Sequence, residues 1–199
     1  MSLSGLILAA GASSRMGTPK ALVRLGEETF LDRLIAAFVP SCRPIIVVLG
    51  HHADLISTGI LRASEVAFVR NPQPERGQLS SLQHGLRALP PDTEGVIFTP
   101  VDYPAISPRT VQALADRFRC RESELIVVPC WHGKHGHPVC CAPEVIEEFL
   151  CLPDNGQARD VVRRHRSRTC YVEVDDPAIV EDADDLEAYQ RLLRMFSHL

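Results

Sequence analysis

Five short apolar runs, at residues 5–8, 44–49, 66–69, 95–99 and 125–129, are separated by stretches of helical periodicity. This alternation constrains the fold more than any other feature of the chain. Strands that are apolar throughout have both faces buried, and strands alternating with amphipathic helices are joined by crossovers rather than hairpins. The pattern therefore predicts a mainly parallel sheet with helices on both faces. Phe30, Leu31, Leu34, Ile35 and Phe38 form one buried stripe, capped by Thr29 with Asp32 three residues on. Leu79, Leu82, Leu86 and Leu89 form a second, and Ser107 followed by Pro108 opens a third helix. Leu186, Tyr189, Leu192, Leu193 and Phe196 mark a terminal helix. No repeat or linker interrupts the pattern, and 199 residues suffice for one full core but are short for two. Residues 1–199 are thus expected to be one three-layer α/β/α domain, with ligands beyond the carboxyl ends of its strands.

The first of those ends is the most informative. The run Leu6-Ile7-Leu8-Ala9-Ala10-Gly11 passes into Ala12-Ser13-Ser14-Arg15-Met16-Gly17-Thr18-Pro19-Lys20. A buried strand that ends in small residues leaves backbone N–H groups open to an anion, and Arg15 and Lys20 supply positive charge beside it. It is neither a Walker A loop nor a dinucleotide fingerprint, because the lysine spacing of the first and the G-x-G-x-x-G of the second are absent. Pro19 disfavours a helix running straight through Lys20, which predicts an open loop.

Asp102 follows the run at 95–99 and is expected at the same sheet edge, between the stiffening Pro100 and Pro104. A carboxylate there suits Mg²⁺ held against nucleotide phosphates. The segment 130–138 contains Cys130, His132, His135 and His137, but its spacing matches no standard zinc pattern. Residues 155–160 read as the start of a helix carrying Arg159, Arg163 and Arg164, either a solvated basic face or the border of a binding site. Ser81 reads either as a helix-capping hydroxyl or as a binding group.

The stretch L-A-A-G-x-S-S-R-M-G-x-x-K resembles the signature of the molybdenum-cofactor nucleotidyltransferases, the MobA/MocA-like branch of the nucleotidyltransferase superfamily. Asn71-Pro72, Gly77-Gln78-Leu79-Ser80-Ser81-Leu82, Pro100-Val101-Asp102-Tyr103-Pro104 and Gly136-His137-Pro138 follow in the family's order, so the resemblance covers nearly the whole chain. It implies a Rossmann-like nucleotidyltransferase fold and transfer of a nucleotide from an NTP to a phosphorylated acceptor, molybdopterin, with release of pyrophosphate. It assigns Leu8, Ala9, Ala10, Gly11, Arg15 and Lys20 to the nucleotide, with Arg15, Lys20 and Asp102 catalytic. Asp102 is the Mg²⁺ ligand, Asn71 and Ser81 contact base or ribose, and His137 contacts the acceptor, with Lys134 and His135 adding positive potential. A second metal carboxylate falls on Glu181 or Asp182, where the family's pattern is degraded. Ala10 stands where the guanylyl branch has glycine, which favours CTP. A recipient molybdoenzyme or its chaperone is the implied downstream partner. Sugar-1-phosphate transfer and a non-catalytic nucleotide-binding module are the competing readings.

Composition limits the partners further. A formal charge of -4 argues against a general nucleic-acid binder. No apolar stretch approaches a bilayer span, and the N-terminal run lacks the basic start of a signal peptide, so a cytoplasmic protein is expected. The seven cysteines show no C-x-x-C spacing, and most read as small buried hydrophobes rather than a disulfide framework.

Overall fold

Strand and helix alternate along the computed structural model, which describes residues 2–12 and 17–196. In chain order the elements are β1 (Leu3–Ala9), β2 (Arg24–Leu25), β3 (Glu28–Thr29), α1 (Phe30–Phe38), β4 (Ile45–Leu49), α2 (Ala53–Gly59), β5 (Ala67–Arg70) and α3 (Gln78–Arg87). There follow β6 (Gly95–Pro100), α4 (Pro108–Arg119), β7 (Ile126–Trp131), β8 (Lys134–His135), β9 (Val139–Cys141), α5 (Pro143–Cys151), α6 (Ala158–Arg164), β10 (Thr169–Glu173) and α7 (Leu186–Phe196).

The main sheet has the order β10-β7-β9-β6-β1-β4-β5, with β8 added to β7. The central strand β1 is buried along its whole length and runs parallel to β4 and β6. Helices cover both faces: Gly5 of β1 meets Phe38 of α1, while the next residue, Leu6, meets Gly85 of α3. Adjacent residues of a strand point to opposite faces, so α1 and α3 lie on opposite sides of the sheet. The mainly parallel three-layer fold expected from the sequence is present.

One strand breaks the parallel rule. β9 runs antiparallel between β6 and β7, pairing Val139 with Phe98. Its direction brings the loop before it, with Gly136 and His137, to the carboxyl end of β6.

Local chemistry accounts for the helix starts. Thr29 Oγ1 accepts the Asp32 N–H at 3.0 Å and donates to the Asp32 carboxylate at 2.7 Å. Wholly buried Asp32 also accepts the N–H groups of Leu61 and Arg62, each at 2.9 Å, pinning the chain after α2 to α1. Ser107 accepts the Thr110 N–H at 3.2 Å with Pro108 in the first helical position. Each such cap contributes about 1 kcal/mol.

The terminal helix departs from its expected stripe. Ala188 and Leu192 are buried, whereas Leu186 and Leu193 are exposed. α7 rests on a narrow contact in which the Tyr189 hydroxyl donates to the Arg24 carbonyl at 2.8 Å and its ring meets Phe30. That contact buries less than a full amphipathic face. Among the described residues no helix is long and apolar enough to cross a membrane. All seven cysteines are free.

Candidate active site

The carboxyl ends of β1 and β6 are joined by a hydrogen bond from the Val101 N–H to the Leu8 carbonyl, 3.0 Å. Beyond them opens a cleft of about 430 Å³, lined among others by Leu8, Ala9, Ala10, Gly11, Lys20, Gln78, Ser81, Asp102 and Asp184. Lys20 begins a short 3-10 turn (Lys20–Leu22) directly after Pro19, so the chain does not continue as one helix through the lysine. Its ammonium lies 3.3 Å from Asp102 Oδ1 and 2.6 Å from Asp184 Oδ1. The structure thus brings Lys20 and Asp102 together. Arg15 lies outside the described residues.

Asp102 and Asp184 both converge on the Lys20 ammonium. Burial raises the Asp102 carboxyl above its ordinary range; Lys20 opposes this, and the negative charges of Asp184 and Asp182 add to it. Burial, together with the carboxylates of Asp182, Asp102 and Asp184, pushes the neighbouring Tyr103 hydroxyl up to about 12. Crowded, desolvated carboxylates favour an added cation. The Asp102 and Asp184 oxygens are hard donors of the kind Mg²⁺ takes, and they fit that ion. No group of three His, Cys, Asp or Glu forms a metal site among the described residues. Mg²⁺ commonly takes only one or two carboxylates and completes its shell with water and phosphate oxygens.

Asp184 is the residue sequence reasoning missed. Of the two carboxylates expected as second ligand, Glu181 faces Arg191 of α7 at 3.9 Å, and Asp182 acts on Asp102 and Tyr103 only through its charge. The Ala183 N–H donates to the Asp102 carbonyl at 2.8 Å, and the chain on either side of that bond runs past the cleft rim with Asp184 at the lysine. The strap at 176–184 is anchored upstream by buried Asp176, which accepts from the Ser107 N–H at 2.9 Å, Thr110 Oγ1 at 2.5 Å and the Ala178 N–H at 3.1 Å. It is anchored again where the His137 N–H donates to the Ile179 carbonyl at 2.9 Å. A Cβ on Gly136 would sit 1.8 Å from that carbonyl oxygen, so only glycine lets the two segments approach.

The far wall of the cleft is the start of α3. Gly77, at φ 92°, turns the chain into the helix and lines the cleft with Gln78 and Ser81. Asn71 does not line it. Its side-chain amide donates to Ser81 Oγ at 3.0 Å and Ser80 Oγ at 3.2 Å, while its oxygen accepts the Gln73 N–H at 2.9 Å. The structure therefore puts Asn71 behind the wall, holding Ser81 in place. Ala10 is 3% exposed, and its carbonyl lies 2.6 Å from where a Gly50 Cβ would stand.

A second cavity, about 600 Å³, adjoins the first and shares Leu8 and Gln78 with it. Leu79, Leu82, Phe98 and Val139 form its apolar wall; His137, Arg159 and Arg163 supply polar groups. The His137 ring packs 4.6 Å from the Tyr103 ring, burial pushes its imidazole down to about 4, and Nδ1 has no hydrogen-bond partner. It is a neutral hydrogen-bonding group near pH 7. The two groups expected to add positive potential beside it line neither cavity: His135 stacks on Tyr171 at 4.0 Å, and exposed Lys134 lies 6.0 Å from the Trp131 ring. His132 packs against Trp131, so the three histidines of this segment diverge.

The family described as the MobA-like NTP transferase domain matches residues 5–169. The molybdenum cofactor guanylyltransferase of Sinorhizobium fredii is 30% identical over 193 residues, spanning 92% of this chain and 83% of that protein. The molybdenum cofactor cytidylyltransferase of Escherichia coli is 26% identical over 181 residues, spanning 90% and 89%. The crystal structure of a Mycobacterium tuberculosis Rv0371c homologue from Mycobacterium sp. strain JC1 superposes with a TM-score of 0.80 at 27% identity, covering 97% of this chain and 96% of that one.

Proposed function

Because this chain belongs to the MobA-like NTP transferase family, we propose that it moves a nucleoside monophosphate from an NTP, CTP by preference, to the phosphate of a molybdopterin acceptor. A phosphate oxygen of the acceptor bonds to the α-phosphorus of the NTP, the bond from that phosphorus to its bridging oxygen breaks, and pyrophosphate leaves. A phosphate monoester is already anionic near pH 7, so no general base is required, and catalysis rests on alignment and charge stabilisation.

One observation carries the reading: Lys20, Asp102 and Asp184 meet at the rim where residues 8–11 leave β1. Lys20 would hold the phosphates, and the backbone at Gly11 would approach them. Asp102 and Asp184 would hold Mg²⁺, which when bound neutralises charge on the phosphate oxygens. Ser81, held by Asn71, would meet the nucleoside from the α3 side.

CTP is favoured by Ala10, a cleft-lining residue that stands where the guanylyl branch of the family has glycine. GTP is the second reading, favoured by the 30% identity to a guanylyltransferase against 26% to a cytidylyltransferase. Pyrophosphate release with each NTP, Mg²⁺ and molybdopterin separates them. CTP is expected to be turned over at least tenfold faster than GTP. Faster GTP turnover would overturn the base assignment. Turnover only with sugar 1-phosphates would overturn the acceptor. Tight NTP binding with no pyrophosphate from any acceptor would leave a binding module.

A further inference from the structure

Lys20 is bound to oxygens that a divalent ion would need. Its ammonium donates to Asp184 Oδ1 at 2.6 Å and stands 3.3 Å from Asp102 Oδ1, with only 12% of its side chain exposed. An ion held by the same two carboxylates, with oxygens at about 2 Å, would stand close against that ammonium. Like charges in such contact repel, so ammonium and ion exclude one another from Asp184. The backbones on both sides are fixed. Lys20 opens the 3-10 turn, in which the Leu22 N–H donates to the Pro19 carbonyl at 2.8 Å and the Val23 N–H to the Lys20 carbonyl at 3.1 Å. Ala21, beside it, is buried. Asp184 is held by the neighbouring bond from the Ala183 N–H to the Asp102 carbonyl, 2.8 Å. What can move is the ammonium, a compact charge on a long flexible stem. Its alternative partner belongs in the same cleft, where a triphosphate against residues 8–11 offers more negative charge than Asp184 does. The Asp184 side chain is 50% exposed, and ion pairs that reach solvent contribute little. A polyanion can therefore displace the tie.

We propose that Lys20 is the internal counter-ion of the unloaded site: it holds Asp184 and keeps a divalent ion out until a nucleoside triphosphate draws the ammonium away. The proposal rests on the transferase reading and adds a regulation to it, the coupling of metal binding to nucleotide binding. A protein built this way does not gather free divalent ions, and it opens its carboxylates when the substrate that needs the ion is present. Coupling of this kind is reciprocal, so the metal strengthens nucleotide binding by the same factor. No covalent bond changes in the exchange; one ammonium passes from carboxylate to phosphate oxygens.

The test uses the full chain and Mn²⁺ as the probe, with the free ion followed by electron paramagnetic resonance. Lys20→Met, which keeps the length of the side chain and removes its charge, is expected to bind Mn²⁺ alone at least tenfold more tightly than the wild type. Lys20→Arg keeps the charge and is expected to stay within about threefold of the wild type. The double variant Lys20→Met/Asp184→Asn is expected to lose the gain, which ties it to Asp184 rather than to overall charge. CTP strengthens Mn²⁺ binding partly because the ion also binds free CTP, a contribution common to every variant. The strengthening by CTP is therefore expected to be at least tenfold smaller in Lys20→Met than in the wild type. Unchanged or weaker binding of Mn²⁺ alone by Lys20→Met would overturn the proposal. So would an equal gain in Lys20→Arg, a gain that survives Asp184→Asn, or an equal effect of CTP in Lys20→Met and the wild type. The transferase reading fails on a separate measurement, pyrophosphate release, so the two failures are distinguishable.

Discussion

The two cavities share a wall and have opposite electrical character. In the cleft, Asp102 and Asp184 crowd the Lys20 ammonium, and burial together with the field of the carboxylates lifts Tyr103 as well. In its neighbour, an apolar wall is rimmed by arginines and no carboxylate appears among the described lining residues. One side therefore favours an added cation and the other an electron-rich group. A ligand that spans both is oriented by charge before any shape is read. The difference teaches that a single wall, Leu8 with the start of α3, suffices to serve two chemistries when the loops opposite it differ.

The strongest blow to this division is on the cleft side. Lys20→Ala is expected to lower turnover by about 100- to 1000-fold, the range for removing one preorganised charge-stabilising donor. Pyrophosphate release measures it, while binding of the acceptor, expected beside His137, should be unmoved; a parallel loss of both would show the two regions to be one site. Next comes Gly136→Ala, which touches the strap that serves both sides. Its Cβ would strike the Ile179 carbonyl, and a loss of about 3 kcal/mol, the upper end for overpacking, is expected in denaturant unfolding. A third variant, Asp184→Asn, removes one oxygen anion from the rim. Apparent Mg²⁺ affinity should weaken about 10- to 100-fold, read from metal titration of the activity, with little change in stability.

The last effect appears only in acid. His137 is held down to about 4 in the folded protein, against an ordinary value near 6.5. The unfolded chain takes up this proton first as pH falls. The group's contribution to stability is therefore fully present above about pH 6.5 and is lost as pH falls toward 4. His137→Gln should flatten the fall of the unfolding midpoint across that window. An identical slope in wild type and variant would put the ring in contact with water and weaken the picture of a dry second cavity.

Much of this was legible in the chain, and the illegible parts share a cause. The five apolar runs became β1, β4, β5, β6 and β7 within a residue or two, because short, continuously apolar segments between amphipathic helices are buried on both faces of a sheet. Asp102 stood out because it follows closely on such a strand, and Lys20 because it closes the small-residue loop that leaves β1. β9 was not legible: three residues, Val139, Cys140 and Cys141, carry no period, and its antiparallel direction comes from its partners. The choice of Asp184 from four acidic residues between 181 and 185 was equally hidden. It depends on the Ala183 hydrogen bond to Asp102, a contact across much of the chain. The separation of Arg159, which lines the second cavity, from Arg164, which pairs with Glu148, likewise depends on Glu148 lying beside α6. Local pattern reveals elements and the residues that end them; which of several similar side chains enters a site is settled by distant chain.

The strap at 176–184 also sets an order of events during synthesis. Every strand of the sheet precedes Asp184 in the chain, so the carboxylate that meets Lys20 is among the last parts of the molecule to be made. A chain that stopped after β10 would carry the whole sheet and lack the Asp184 carboxylate beside Lys20.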